Sequence, residues 1–356
     1  MVNLITLLLL PLLIAALVTY FATPIIIRFA DRLKIVDDPK KHLHPKVIHT
    51  YPTPRGGGVP LFLGILITSI LFLPIDKHLL GILIGALILT ALGLLDDRYD
   101  LSPYKRLVIQ FTVAAIPIAA GIGISFIKSP FNGIIDLSFP RLTFQLLGEE
   151  KSIWILSDLF AIFWMVTLMN FINMGASGLD GQLSGTVAIA AITIALLSLR
   201  FSADITQWSV TILAAITTGA YLGFLPWHKF PQKIMPGFGG STLAGFMLGI
   251  LSILSTTKVG TLMVVLAVPL VDTGYTLIRR VAKGRSPFWG DRGHLHHKLL
   301  DSGWSKRKVA FFYWGLTATL GIFALNLNAS FKFYTMVGVS IFIGGLLLWL
   351  THKQKT

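Results

Sequence analysis

Long apolar runs alternate with short polar segments along the whole chain. A helix needs roughly 20 apolar residues to cross the hydrocarbon core of a bilayer. The pattern therefore predicts an all-α integral membrane protein with about eleven transmembrane helices, or ten because the runs at 79–95 and 241–255 are short. The predicted spans lie near 4–27, 58–75, 79–95, 107–126, 154–173, 184–199, 208–225, 241–255, 259–278, 309–327 and 331–350. One polytopic domain over 1–356 is the simplest organisation.

The longest segment between spans on the predicted outer side, 127–152, differs from the rest. Its stretch GIIDLSFPRLTF alternates apolar and polar residues over short distances around a proline. Such alternation is typical of short strands, so we expect a small external β-hairpin here.

Basic residues are concentrated on one side of this predicted topology. The chain carries a net charge of +14 with 13% charged residues, and 23 of its 30 lysines and arginines fall in alternate connecting segments. Those segments are 28–57, 96–106, 174–183, 226–240, 279–308 and 351–356. Positive residues favour the cytoplasmic side, which predicts an outer N-terminus, a cytoplasmic C-terminus and a location in the inner (plasma) membrane.

The charge distribution and the cysteine count argue against nucleic-acid binding and against cysteine-based chemistry. The positive charge follows the topology and is not interleaved with aromatic residues as in single-stranded nucleic-acid sites, so we expect no nucleic-acid partner. The chain has no cysteine, which excludes disulfides, thiolate metal sites and cysteine nucleophiles.

Two adjacent carboxylates end the third predicted span in LGLLDDRYDLSPYKRLVIQ. Asp96 and Asp97 lie where a helix carries partial negative charge, which is unfavourable for carboxylates. A bound cation would offset that charge. The alternative is an ordinary solvated helix end, with Arg98 and Arg106 as neighbours.

The stretch MNFINMGASGLDGQLSG places amides and an acid between two apolar runs. Asn170 and Asn173 share one helix face, and Asp180 follows in a glycine-rich turn where the backbone can approach a ligand closely. The alternative is a tight turn with helix caps. It accounts poorly for two amides at membrane depth, where unpaired polar groups are costly.

The loop SPFWGDRGHLHHKLLDSGWSKRK carries His294, His296 and His297 beside Arg292. Imidazoles beside arginines bind phosphate or a metal, although the H-x-H-H spacing is unusual for tetrahedral zinc. A solvated basic loop is the alternative.

Three further residues are candidates. Asp272 lies inside the ninth predicted span, and an ionisable residue there is a functional candidate unless it forms a buried pair with Arg279 or Arg280. Lys46 and Arg55, in KKHLHPKVIHTYPTPRGGGVP, would supply positive charge. All these groups fall on one predicted membrane face, whereas transporters usually place such groups near the midplane. One-sidedness favours an enzyme with an anionic, water-soluble substrate and a lipid acceptor.

Five motifs resemble the polyprenyl-phosphate N-acetylhexosamine-1-phosphate transferases, the glycosyltransferase 4 group. They are PTPRGGG, the paired aspartates, N-x-x-N before DG, PLVDT and DRGHLHH, and the resemblance covers about residues 20 to 310. The H-x-H-H form is more similar to the N-acetylglucosamine branch than to the phospho-MurNAc-pentapeptide branch.

The resemblance implies transfer of a sugar-1-phosphate from a UDP-N-acetylhexosamine to an undecaprenyl-like polyprenyl phosphate, with release of UMP. It implies Mg²⁺, with Mn²⁺ as the alternative ion, bridging the diphosphate to Asp97 and Asp180. Asp96 would orient or deprotonate the acceptor phosphate, and Asn170, Asn173 and Asp180 would bind nucleotide or sugar. Phosphate binding would fall to Lys46, Arg55, Arg106, Arg292, His294, His296 and His297, and a homodimer is expected.

Two departures from the family pattern leave alternatives open. The first aspartate of N-x-x-N-x-x-D-G-x-D-G is replaced by GAS with one extra residue, and Phe238 in PGFGGS stands where the family carries a metal-binding aspartate. Either the remaining acids hold the ion with waters and phosphate oxygens, or Asp272 helps, or activity is altered or lost. A phospho-MurNAc-pentapeptide transferase, an anionic-solute transporter built on Asp272 and a catalytically silent relative are the other readings.

Overall fold

The computed structural model describes residues 4–40, 48–131, 133–146, 149–201, 203–255 and 258–353. A π-helical turn, Ile5–Leu9, precedes the first α-helix. The α-helices are α1 (Leu10–Leu33), α2 (Gly58–Phe72), α3 (Lys77–Tyr99), α4 (Pro103–Ala119), α5 (Ile155–Gly175), α6 (Gln182–Leu199), α7 (Thr206–His228), α8 (Gly237–Leu254), α9 (Lys258–Val265), α10 (Ala267–Ala282), α11 (Leu295–Asp301), α12 (Lys306–Ala324) and α13 (Ala329–Lys353). The strands are β1 (Val36–Asp37), β2 (Thr53–Pro54), β3 (Phe126–Lys128), β4 (Ile134–Asp136), β5 (Arg141–Leu146) and β6 (Glu149–Trp154).

Ten of the eleven predicted spans each overlap one α-helix, because a helix satisfies its own backbone hydrogen bonds in an apolar medium; the span predicted at 259–278 covers two helices, α9 and α10. Within the described ranges, seven helices are long and apolar enough to cross a membrane, and α9 with α10 makes an eighth if this pair, bent by 81°, forms one span. Helices α2 and α4 have only 15 and 17 residues, and α12 begins with Lys-Arg-Lys. The all-α membrane fold is confirmed, while the count of eleven spans stays a prediction.

Burial divides the helices into central and peripheral ones. The most apolar window of α8 is 89% buried, whereas those of α1 and α13 are 28% and 17% buried. Helix α8 is therefore the core of the bundle, and the outer helices leave apolar side chains for lipid.

Glycines allow the closest helix contacts. A Cβ at Gly245 of α8 would lie 2.4 Å from the backbone of Met169 in α5, and one at Gly223 of α7 would lie 2.1 Å from the carbonyl oxygen of Ala16 in α1. Small residues at such crossings let backbones approach in membrane bundles. The α5–α8 contact matters for function because α5 carries the two asparagines.

The segment predicted to hold one β-hairpin holds two. Strand β3 pairs antiparallel with β4, and β5 pairs with β6. Pro140 stands between the hairpins and has no N–H for a ladder, so GIIDLSFPRLTF is divided between them. A third antiparallel pair, β1 with β2, lies on the chain between α1 and α2.

The N-termini of some helices and the C-termini of others meet at one end of the bundle. The C-termini of α3 and α5 lie there with the N-termini of α4 and α8, and residues next to all four line a common cavity. The motif residues therefore converge although they are far apart in sequence.

Candidate functional site

A cavity of about 370 Å³ opens at this end of the bundle. Nine of the thirteen predicted site residues line it, namely Arg55, Asp96, Asp97, Arg106, Asn170, Asn173, His294, His296 and His297. Asp180, Arg292 and Asp272 do not line it, and Lys46 lies outside the described residues. The convergence of most motif residues agrees with the one-sided site that the sequence predicts.

Asp97 is held by backbone amides and by no cationic side chain among the described residues. Its Oδ2 accepts a hydrogen bond from the Gly56 amide at 3.0 Å, and its Oδ1 accepts one from the Phe238 amide at 3.3 Å. Gly237 has a φ of +65°, and a Cβ there would lie 2.2 Å from Oδ2 of Asp97. Glycine is required at this position, since the backbone closes directly over the carboxylate.

Asp96, its neighbour, is already paired. Its side chain accepts hydrogen bonds from Arg106 Nη1 and from the Leu101 amide, both at 3.1 Å. The guanidinium of Arg106 also lies over the ring of Phe238, with Cζ 4.9 Å from the centroid. Asp96 thus positions Arg106 and ties the start of α4 to the end of α3.

The two asparagines are satisfied by neighbouring helices. Asn170 Nδ2 donates to Gln110 Oε1 in α4 at 2.8 Å, and Asn173 Oδ1 accepts from Ser241 Oγ in α8 at 2.7 Å. The unpaired amides that seemed costly from sequence therefore have partners. Both residues still line the cavity, so each keeps polar atoms for a ligand.

His294 is oriented by Asp272, a fully buried residue of α10. Nδ1 of His294 lies 3.1 Å from Oδ2 of Asp272, whose Oδ1 accepts from the Leu295 amide at 2.8 Å. Asp272 thereby holds the imidazole ring of His294 in one orientation. The sequence alternative, a pair of Asp272 with Arg279 or Arg280, is wrong because both arginines bind Asp291, at 2.6 and 3.1 Å.

The three histidines lie side by side at the start of α11. The rings of His294 and His296 are parallel with centroids 5.6 Å apart, and His297 lies 4.3 Å from His296. Burial, with the charge of Arg292 as the next cause, lowers the pKa of His297 to about 4, and burial also holds the pKa of His296 well below its usual value. Both imidazoles are neutral at pH 7.

Two predicted residues that do not line the cavity are bound by other side chains or amides. Asp180 Oδ1 lies 3.3 Å from Nζ of Lys306, and its Oδ2 accepts from the Gln232 amide at 3.3 Å. Arg292 Nη2 forms a half-exposed ion pair with Asp301 at 2.5 Å. These contacts join Asp180, at the start of α6, to α12 and hold Arg292 at the surface, while the metal and phosphate roles expected of the two residues stay predictions.

Sequence reasoning missed several lining residues. Asp37 accepts from Arg55 Nη2 at 2.9 Å and so holds this arginine at the cavity wall. Arg280 and Asp291 also line the cavity; burial opposes ionisation of Asp291, but the hydrogen bond and charge of Arg280 lower its pKa overall. Trp289 is a further lining residue and is 55% exposed. Strands β1 and β2, whose pairing brings Asp37 to Arg55, have only two residues each, and this is too short to give a recognisable sequence pattern.

A metal held entirely by protein is not supported. The described part of the chain contains no cluster of three or more His, Cys, Asp or Glu side chains arranged to hold an ion. Asp97 alone is a carboxylate at the cavity with amide partners and no cation. This donor set fits Mg²⁺ in its usual mode, with one or two carboxylates, waters and substrate phosphates.

Comparison with known proteins agrees with this architecture. Residues 79–256, half of the 356-residue chain, match the family described as "Glycosyl transferase family 4". The chain is 28% identical over 366 residues to the decaprenyl-phosphate N-acetylglucosaminephosphotransferase of Mycobacterium leprae, covering 94% of this chain and 86% of the relative. It is 29% identical to the probable undecaprenyl-phosphate N-acetylglucosaminyl 1-phosphate transferase of Bacillus subtilis, covering 89% and 84%.

A relative that is named for another substrate has a similar sequence identity to this chain. The phospho-N-acetylmuramoyl-pentapeptide-transferase of Bacillus subtilis is 30% identical over 333 residues, covering 86% of this chain and 94% of the relative. These matches extend over the same helices that surround the cavity. The chain is a multi-pass membrane transferase and belongs to glycosyl transferase family 4.

Proposed function

We propose that the protein transfers N-acetylglucosamine-1-phosphate from the UDP-sugar to a polyprenyl phosphate and releases UMP. The observation that carries the proposal is the convergence of Asp97, both asparagines and three histidines on one cavity of a family 4 fold. The relatives named for decaprenyl- and undecaprenyl-phosphate acceptors support the acceptor class, and those named for N-acetylglucosamine support the sugar.

The reaction exchanges one phosphoanhydride bond for another. An oxygen of the polyprenyl phosphate attacks the β-phosphorus of the donor and forms a new P–O–P linkage. The bond from that phosphorus to the bridging oxygen breaks, and UMP leaves with the electron pair. No net redox change or external proton is needed at neutral pH.

The site must bring two anions together, since the transfer itself is mainly positioning and charge stabilisation. Arg55, Arg106 and Arg280 line the cavity and place positive charge around it. The amides of Gly56 and Phe238 fix Asp97, and the carboxylate of Asp272 orients the imidazole of His294 at the cavity wall.

Asp97 is the residue that would hold Mg²⁺, with Mn²⁺ as the alternative, together with phosphate oxygens of the donor. Such an ion supplies neutralisation of the diphosphate charge. The metal-binding role expected for Asp180 stays a prediction, and in the structure Lys306 and the Gln232 amide contact its two oxygens.

We also propose an orientation of the chain in the membrane. The excess of basic residues supports a cytoplasmic position of the cavity and the C-terminus, with the N-terminus outside. Water-soluble UDP-sugar would enter from the cytoplasm, and the acceptor from the lipid between the helices. A homodimer stays a prediction.

The similar identity of the muramoyl-pentapeptide relative makes its substrate the second candidate. The transporter hypothesis loses support. The carboxylate of Asp272 is occupied by His294 and the Leu295 amide, which removes the free intramembrane acid on which a transporter would be built. A silent relative remains distinguishable by assay.

The test is turnover by purified protein in detergent. The assay would combine polyprenyl phosphate with radiolabelled UDP-N-acetylglucosamine or UDP-MurNAc-pentapeptide, with MgCl₂ or with EDTA. We expect labelled lipid and an equal amount of UMP with the first donor and MgCl₂. Turnover with only the second donor would move the protein to the other branch, and UMP release with neither would support the silent reading.

A further inference from the structure

Phe238, where the family resemblance leads us to expect an acid, contacts a cation. The ring is 7% exposed, and the guanidinium of Arg106 lies 4.9 Å from its centroid. On the other side Arg106 Nη1 donates to Asp96 at 3.1 Å. An arginine held between an aromatic face and a carboxylate loses its usual freedom before any ligand arrives.

The backbone that carries this ring is held in place by two hydrogen bonds. The Phe238 amide donates to Asp97, and its carbonyl oxygen accepts from Thr242 Oγ1 at 2.8 Å. These contacts lie in the first turn of α8, the most buried helix. The position of Arg106 is thus fixed relative to Asp97 through one short piece of backbone.

Arg106 keeps donors for a ligand. The contact with Asp96 uses Nη1, and no described residue accepts from its Nη2 or Nε. The side chain is 25% exposed and lines the cavity. A diphosphate entering the cavity would find a guanidinium with free donors beside Asp97, and arginine binds phosphate oxygens well.

We infer that Phe238 is a positioning residue that holds Arg106 as a fixed diphosphate-binding cation, so that this protein binds its donor without a divalent ion. The inference rests on the proposed donor class, a nucleoside diphosphate sugar. Divalent metal then serves turnover, while binding of the donor depends on the arginine.

An acid at position 238 would have the opposite effect. A carboxylate there would compete with the diphosphate for Arg106 and would add negative charge next to Asp97. Donor binding would then need a divalent cation to restore the balance. With Phe238 the charge of the diphosphate is balanced by Arg106, whereas with an aspartate it would be balanced by a divalent cation.

The first experiment measures binding of UDP-N-acetylglucosamine by isothermal titration calorimetry in EDTA and in MgCl₂. For the natural sequence we expect affinities within about threefold of each other, because Arg106 is in place in both. Arg106→Gln should weaken binding in EDTA by about ten- to hundredfold, as expected for lost hydrogen bonds to a charged group. Binding only in MgCl₂ by the natural sequence would overturn the inference.

The second experiment isolates the ring. Phe238→Leu keeps an apolar side chain but removes the π-face, and we expect about two- to tenfold weaker binding in EDTA. Phe238→Tyr should restore it. Tyr99→Leu is a matched control, since Arg98 lies over Tyr99 at the same 4.9 Å and neither residue lines the cavity. Equal affinities for Phe238→Leu and the natural sequence would refute the positioning role.

The third experiment replaces the phenylalanine by an acid and, as a control, by the uncharged amide. Phe238→Asp should lose binding in EDTA and regain it in MgCl₂, whereas Phe238→Asn should not respond to the metal. A metal response of both variants, or of neither, would contradict the inference; if Phe238→Asp fails to fold, the leucine and tyrosine pair still decides. All three measurements report binding alone, so a protein without turnover could still confirm the inference.

Discussion

Two carboxylates at the same end of the bundle have opposite surroundings. Asp97, at the end of α3, faces the cavity, and the only described groups that donate to it are the amides of Gly56 and Phe238. Asp272, in α10, is fully buried and paired with His294. The first is available to a ligand, and the second acts through another side chain. The partners of each acid, which the sequence does not show, decide its role.

The comparison predicts the largest effect for Asp97→Asn. The amide keeps the size of the side chain but removes the charge next to the diphosphate, so kcat should fall by at least about 100-fold. UMP release with saturating donor and acceptor measures this. Asp180→Asn is the control, because Asp180 binds Lys306 outside the cavity; a loss of activity in this variant alone would reverse the assignments.

The histidine region can be disturbed without changing a histidine. A Cβ at Gly178 would lie 2.1 Å from Nε2 of His296, so Gly178→Ala must displace the imidazole. A displacement of about 1 Å at a reacting site lowers rates roughly 100-fold, and we expect a loss of kcat of about 10- to 100-fold. Gly315→Ala, where a Cβ meets nothing within 4 Å, should retain activity. Unchanged activity of Gly178→Ala would separate His296 from function.

Asp272→Asn tests whether the second acid acts through His294. Loss of a hydrogen bond to a charged group should reduce stability by about 1.5–3 kcal/mol, seen as a lower Tm. A double-mutant cycle with His294→Gln should give a coupling energy of about 0.5–3 kcal/mol. Additive effects would show that Asp272 and His294 contribute independently.

Much of this arrangement follows from the sequence. The apolar runs fix the helices because length and hydrophobicity decide which segments span a bilayer, and alternation of direction brings the motifs to one end. The pairings could not be predicted, since they depend on side-chain direction at contacts between helices. Asp180 shows this, because a glycine-rich turn predicts proximity to a ligand but not that the carboxylate faces Lys306. The pair of β1 with β2, which places Asp37 at Arg55, was too short to give a pattern.

The buried histidines predict a pH effect on stability. Because the pKa of His297 is about 4 in the folded protein and 6.5 is its ordinary value, the unfolded chain binds more protons between these limits. Tm should therefore be constant above about pH 6.5 and fall as pH is lowered toward 5. His297→Gln should reduce this slope, and a Tm that rises on acidification would contradict the burial of this imidazole.

The smallest effect is expected for Arg292→Gln. The ion pair of Arg292 with Asp301 is half exposed, and such pairs contribute about 0–1 kcal/mol. We expect a change in kcat/KM of less than about threefold and little change in Tm. A tenfold loss would return Arg292 to the phosphate site that its position beside the histidines suggested.

The most direct test of the central claim follows the β-phosphorus. UDP-N-acetylglucosamine carrying ³²P at the β-position would be incubated with polyprenyl phosphate, MgCl₂ and either the natural protein or Asp97→Asn. Phosphoryl transfer at Asp97 predicts that the label moves to the lipid with the natural protein and stays on the nucleotide with the variant. Label remaining on UDP while sugar reaches the lipid, or equal labelling by both proteins, would contradict the account.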